Sequence, residues 1–359
     1  MFRRCVRNER ASLAQRCATL FLSLLALLVL ARPSWAQIDL GPVTVGAGLR
    51  TSFVNTEPDS GGSTNKFLLN DIRLYVNGPV YKDVKFMFNT DYNGSTNSVN
   101  ILDAVARIEI NPEFNIWAGR FLPPSDRANL YGPFYAHEWD VYTDGIQDGY
   151  PFVFQGRDNG FVYWGTFAKK VKVSAGAFDG SSANTGNKQV IGAGRVQIDF
   201  WDPEDGYYLN GTYYGDKNLL AIGGASQIQD GHTATTVDFL LEKKVPGGGA
   251  FTIESEYADY NRLGGYDAAF AKSQGAYVTA SFLVPKKIGV GQIEFLGKYA
   301  KAEFTHGSLA NYDQKTTEIN LNYVIKQFNL RVMSFAEHVG FNRGHSDFWQ
   351  AGLGLQIQM

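Results

Sequence analysis

Five basic side chains fall at intervals through the first part of this chain: Arg50, Arg73, Lys85, Arg107 and Arg120. A run of acids follows in the stretch after Leu122: Asp126, Glu138, Asp140, Asp144 and Asp148. Neither set has the spacing of a covalent or metal-assisted catalyst. There is no GxSxG, HExxH or GxxxxGK[ST] stretch, and the five histidines lack ligand spacing. Asp140, Asp144 and Asp148 recur every fourth residue, whereas a calcium loop wants acids at alternate positions. What separated basic and acidic groups can do is set up a field. Facing each other across water between low-dielectric walls, they would orient dipolar solutes and filter ions.

Such a field needs a wall that holds each charge on one side, and the local pattern supplies it. "VTVGAGLRTSF" puts Val43, Val45, Ala47, Leu49 and Phe53 on one face and Thr44, Gly46, Gly48, Arg50 and Ser52 on the other. "NDIRLYVNG" separates Ile72, Leu74 and Val76 from Asp71, Arg73 and Tyr75. "LDAVARIEI" separates Leu102, Ala104, Ala106 and Ile108 from Asp103, Arg107 and Glu109. The same period of two returns in Val196, Ile198 and Phe200 against Arg195, Gln197 and Asp199, and in Ile319, Leu321 and Tyr323 against Glu318, Asn320 and Asn322. A period of two is a strand whose two faces meet different surroundings. The last residues, "FWQAGLGLQIQM", continue it to Met359, as a final strand closing on the first would.

A soluble sandwich shows the same alternation, so number and rhythm decide. About sixteen segments come near the roughly 9–11 residues with which a tilted strand crosses a bilayer. Their connections alternate between short ones ("NPE", "AKK", "VPGGG") and longer Gly/Ser-rich ones ("NTEPDSGGSTN", "DGSSANTGNKQ"). Short turns on one side and long loops on the other predict an all-β transmembrane antiparallel barrel. An even number of strands leaves both ends on one side. Reading residues 202–218 as one elaborate periplasmic connection gives sixteen strands, with eighteen as the alternative.

The first residues predict export. A basic lead (Arg3, Arg4, Arg7, Arg10, Arg16) precedes a 14-residue apolar run, Ala18–Ala31, and the frame Ser34-Trp35-Ala36. That run is shorter than the ~18–20 residues of a spanning helix, so residues 1–36 read as a signal peptide cleaved near Ala36. Residues 37–359 read as the barrel, and the destination as the bacterial outer membrane. Cleavage would remove both cysteines, Cys5 and Cys17. It would also take six arginines and one glutamate from the 33 basic and 35 acidic side chains, leaving a net charge of −7. Nucleic acid is an unsuitable partner for such a chain.

One connection is longer than packing alone requires. Residues 123–159 carry eight aromatic side chains, including Tyr131, Phe134, Tyr135 and Trp139, and a net charge of −4 when Arg120 is left to the strand. A loop of this length and texture packs onto something. The expectation is that it folds into the barrel and narrows it. Asp126, Glu138, Asp140, Asp144 and Asp148 would then face the basic wall of Arg50, Arg73, Lys85, Arg107 and Arg120. The competing arrangement pairs those cations with Asp71, Asp91, Asp103 and Glu109 on adjacent strands.

At "DIRLYVNGPVYKDVKFMFNTDYNG", "IWAGRFLPPSDR" and "GYYLNGTYYGDKNLLAIGGASQIQ" the chain resembles the phosphate-selective porin O and P family, over about residues 67–359. The resemblance implies a sixteen-stranded barrel with a constricting third loop, a homotrimer in outer-membrane lipid and lipopolysaccharide, and passage of small hydrophilic solutes and ions without a cofactor. Some members select phosphate with arginines and lysines at the narrowest point. Here the long loop is acidic, which favours a general or cation-tolerant porin. A substrate-specific channel for phosphate, a sugar or a small organic acid is the alternative, followed by a barrel-type outer-membrane enzyme.

Overall fold

The computed structural model describes residues 42–93, 97–141, 156–180, 189–263, 270–306 and 311–359. The leader, and Asp144 and Asp148 of the long loop, lie outside the described residues. Sixteen strands form one closed antiparallel sheet. The first five are β1 (Thr44–Pro58), β2 (Thr64–Tyr81), β3 (Val84–Asn93), β4 (Ser98–Asn111) and β5 (Phe114–Phe121). After the long loop come β6 (Asp158–Phe167), β7 (Val171–Phe178) and β8 (Ile191–Asp199). The second half comprises β9 (Leu219–Gln229), β10 (His232–Val245), β11 (Gly249–Asn261) and β12 (Phe270–Ile288). It ends with β13 (Gly291–His306), β14 (Tyr312–Lys326), β15 (Leu330–Phe341) and β16 (Phe348–Gln358).

Each strand pairs with its neighbours in sequence, and β16 pairs with β1 from Gly48↔Gln358 to Pro58↔Phe348. Closure leaves no edge, so every strand's backbone groups have a partner on both sides. The alternating segments take the parity that the residues predicted. Ile319, Phe295 and Leu353 point outward and are 66%, 55% and 54% exposed, while Arg50, Asp91 and Glu318 point inward and are buried. This inverts a soluble protein: aliphatic surface is outside and charge is inside, as a barrel in hydrocarbon demands. Register shifts interrupt the ladders at several points, among them one between Arg50 and Thr51 and a second between Asn89 and Thr90. At the second, Leu102 is buried instead of joining Ala104 and Ala106 on the exposed face.

The segment 202–218 joins β8 to β9 without adding a strand, so the even count stands at sixteen. It is not confined to the rim. Glu204, Tyr207, Leu209, Thr212 and Tyr214 are all buried.

Candidate functional site

The interior is crossed by two segments that enter from opposite ends. The loop after β5 leaves by the end reached after odd-numbered strands; the β8–β9 connection leaves by the other. Pro123 and Pro124 end β5, since proline cannot donate to a sheet. A short helix, α1 (Arg127–Tyr131), follows Asp126. Gly132 ends it at φ 61, a left-handed conformation that glycine adopts without strain, and its N–H bonds the Ala128 carbonyl at 3.0 Å. One 3-10 turn, Pro133–Tyr135, then carries the chain across the lumen.

The wall holds this loop by its polar groups. Glu256 accepts from the Ala128 N–H at 3.2 Å, and Glu254 accepts from the Tyr131 hydroxyl at 2.9 Å. His137 Nε2 lies 3.3 Å from the Ser281 hydroxyl and 3.4 Å from Glu294. Lys298 donates to the Asp140 carbonyl at 3.1 Å, and Arg331 to the Ala136 carbonyl at 2.6 Å. Gln356 donates to the Phe134 carbonyl at 2.9 Å, and Arg50 to that of Trp139 at 2.7 Å. Strands β1, β11, β12, β13, β15 and β16 thus all bind one loop, which satisfies backbone groups that would otherwise be orphaned.

Two strand glycines make room for its rings. A Cβ on Gly48 would sit 2.7 Å from the Phe134 ring, and one on Gly354 would sit 2.4 Å from the Trp139 ring. The tryptophan is packed with Val54, Met333 and Phe335. Gly354→Leu is therefore expected to eject Trp139 and loosen the loop by about 1–3 kcal/mol, the usual cost of overpacking. Loss of amide protection over residues 134–141 in hydrogen exchange, with the barrel amides unchanged, would register it; protection equal to the parent would contradict it.

The β8–β9 connection clamps the loop from below. The Arg127 guanidinium is forked onto Glu204, with one contact at 3.1 Å and a second shorter one. Backbone N–H groups of Leu209 and Gly211 donate to the carbonyls of Leu130 at 3.2 Å and Tyr135 at 2.9 Å. The Tyr207 hydroxyl donates to the Leu122 carbonyl at 2.9 Å. Tyr207 also enters an aromatic nest within the barrel, 4.8 Å from Trp117 between centroids, with Phe121 5.3 Å from Phe178 behind it. Glu242 anchors the connection to β10, accepting from the backbone N–H groups of Tyr213 and Gly215, each at 2.7 Å.

The five basic wall residues divide by contact. Arg50 pairs with Asp71 at 2.9 Å and stacks on Trp139 at 4.1 Å; Arg73 pairs with Asp91 at 3.0 Å and lies 5.0 Å from the Phe134 ring. These two touch the loop, through rings and carbonyls and not through its acids. Lys85 and Arg107 both reach Glu109, at 2.7 and 3.7 Å. Arg120 departs from the expected inner wall: it shares the parity of exposed Ala118 and stands opposite exposed Ala104, alternating with inward Trp117 and Phe121, and it donates to the Ile101 carbonyl at 3.3 Å. Among the loop acids, Glu138 lies 3.6 Å from Lys298, and Asp140 is half-buried beside it. Asp126 is sealed within the loop, accepting from Asn129 at 2.6 Å and Ser125 at 3.0 Å.

Besides Arg50, three cations outside the first five strands bond the loop directly: Lys298, Arg331, and Arg195, which donates to the Ser125 carbonyl at 3.2 Å. Their signal was present, since each is a charged residue on the inward parity of an alternating strand. Among the described residues, no group of three or more His, Cys, Asp or Glu is arranged to hold a metal ion.

Loop groups couple docking to pH, His137 and Asp126 among them. Burial opposes a charged His137, but Glu294, with Glu138 and Glu254 beyond it, outweighs burial and holds the imidazole pKa above its ordinary value. Burial pushes Asp126 up to about 6, offset in part by its donors Asn129 and Ser125 and by Arg195, with Asp238 adding to the rise. Both shifts are upward, so the docked loop takes up protons. Their contribution is complete below the free-group values, about 3.9 for Asp and 6.5 for His, and is lost as pH rises through the docked values. Glu204 shifts the other way: Arg127 overcomes burial and holds it low, so it weakens docking only in more acidic solution. Loop amides should therefore exchange faster at pH 8 than at pH 5.5 after correction for intrinsic rates; the reverse order would refute the assignment.

No family model matches the chain, and no curated protein sequence matches it. Solved structures do. The chain is similar to Pseudomonas putida OprB, with TM-score 0.65 at 9% identity over 89% of this chain and 94% of that one. It is similar to the trimer form of OmpT, an outer membrane protein of Vibrio cholerae, with TM-score 0.54 at 10% identity over 89% and 100%. It is also similar to an anion-selective porin from Comamonas acidovorans, with TM-score 0.53 at 14% identity over 88% and 99%. At these identities the likeness establishes the barrel fold.

Proposed function

We propose that the chain is an outer-membrane porin that passes small hydrophilic solutes and ions by diffusion. One observation carries this reading: the sheet closes with its aliphatic face outward and its charges inward, around a loop drawn into the lumen. A soluble barrel would gain nothing from exposing Ile319, Phe295 and Leu353 while enclosing Arg50, Asp91 and Glu318. The likeness to an anion-selective porin supports the same reading.

In this account residues 1–36 direct export, and residues 37–359 insert into outer-membrane lipid and lipopolysaccharide as a homotrimer. Arg50, Arg73, Lys85 and Arg107 set a positive sector on β1–β4, which Arg120, on the outward parity of β5, does not join. Asp126, Glu138, Asp140, Asp144 and Asp148 belong to the acidic loop that narrows the passage from 123 to 159. Solutes cross beside the docked loop, and ions are sorted by the field there. A solute-specific channel is the second reading. It is favoured by the double narrowing, in which residues 122–141 and 207–214 both occupy the lumen, more than free diffusion needs.

Reconstitution of residues 37–359 in a planar bilayer under a salt gradient tests the proposal. Stepwise ohmic current is expected. Asp140→Asn should move the zero-current potential toward anions, more strongly at low salt, where screening is weaker. A potential that does not move removes Asp140 from the ion path, and a bilayer without current removes the channel. Saturable block by a single solute would favour the second reading.

A further inference from the structure

Two carboxylates brought together by the loop and the wall lack hydrogen-bond donors. Glu138, near the end of the described loop, is 0% exposed, and Glu318 on β14 is 1% exposed. Neither accepts a hydrogen bond on either oxygen. Asn320, two residues further along the same inward face of β14 and also buried, has neither amide atom satisfied. Register fixes how these groups assemble. Lys298, Glu318 and Glu337 are successive cross-strand partners on β13, β14 and β15, and all three are buried. The lysine is committed to the loop: it donates to the carbonyls of Asp140 at 3.1 Å and Val141 at 3.4 Å, with Glu138 at 3.6 Å. Glu138 and Glu318 therefore stand as two buried carboxylates without a donor, beside a lysine already engaged by the loop. Buried carboxylates in that state demand a counter-charge that also donates hydrogen bonds.

The chemistry of the corner narrows what that counter-charge is. A calcium-like ion needs several oxygens converging at about 2.3–2.6 Å. Among the described residues no three acidic or histidine side chains converge for a metal. An ammonium needs dispersed acceptors at roughly 2.7–2.9 Å and tolerates an aromatic face. Lys298 already demonstrates that an ammonium fits here, with its Nζ 5.3 Å from the Tyr277 ring centroid. We propose that the corner bounded by Glu138, Glu318, Asn320 and Glu337, with Asp140 at its rim, binds a protonated amine solute, an alkylammonium or diammonium cation, beside Lys298. The inference deepens the channel reading, on which it rests only for entry of the amine into the lumen.

Calorimetric titration of the detergent-solubilised protein with 1,4-diaminobutane tests it without requiring current. Saturable binding is expected, weakened about tenfold or more by Glu318→Gln, which removes one charge-assisted contact. Glu138→Gln should weaken it likewise. Because that residue lies on the loop and outside the hydrogen-bonded wall, it reads the same site if the strand variant fails to fold. No binding by the parent protein, or binding unchanged in a folded variant, overturns the inference. Magnesium binding as tight as the diamine overturns the amine assignment. A barrel that binds the diamine yet carries no current sinks the channel reading alone. A conducting barrel that ignores the diamine sinks this inference alone.

Discussion

Arg127→Ala is expected to destabilise the docked loop by about 3–5 kcal/mol, the cost of stripping one partner from a buried ion pair. The guanidinium is fully buried, forked onto Glu204, 3.5 Å from Asp238, and bonded to the Asn210 carbonyl at 3.1 Å. Truncation leaves Glu204 sealed in the barrel with only Gln197 and Tyr213 as side-chain donors. It also cuts the strongest tie between the loop and the β8–β9 connection. Equilibrium unfolding in urea with lipid vesicles would measure the loss. Adding Glu204→Gln should restore part of it, because the orphaned charge and not the missing contact is the larger cost. A change below about 1 kcal/mol for Arg127→Ala would show that the pair is open to water.

The second large effect concerns the connection itself. Replacing residues 203–217 with a tight turn should leave the barrel closed, since β8 and β9 are already in register as far as Asp199↔Ala221. The lumen would lose Tyr207, Leu209 and Tyr214, and the aromatic nest around Trp117 and Phe121 would face water. Single-channel conductance is expected to rise roughly twofold or more, because a pore's conductance is limited by its narrowest lining. An unchanged conductance would place the connection off the permeation path and reduce its role to bracing.

Much of the barrel was readable because a period of two is local. Ile72 and Leu74 against Asp71 and Arg73 declare their faces without knowledge of any other strand. The wall pairs were readable for a related reason: neighbouring strands bring Arg50 to Asp71 and Arg73 to Asp91 in simple register. The inward fold of residues 202–218 was not readable. It depends on Arg127 meeting Glu204, 77 residues away, and on tyrosines that look the same in a girdle or in a core. A hint lay in the exceptions. Met333 and Phe335 are apolar on the inward parity of β15, as are Trp117 and Phe121 on β5, and such residues mark where something packs inside a barrel. Lys298 and Arg331 were on the inward face by the same parity, but only the loop's path across β13 and β15 identifies them as its anchors.

The central claim is that one parity of each strand meets lipid and the other meets the enclosed lumen. Residues 37–359 contain no cysteine, so nitroxide labels can be placed singly along β16 and its neighbour β1. In vesicles, labels at Ala351, Leu353 and Ile357 should be accessible to dissolved oxygen and shielded from a polar relaxation agent. Labels at Gln350 and Thr56 should show the opposite. Collision rates without this alternation, or outward positions that meet the polar agent freely, would contradict the account.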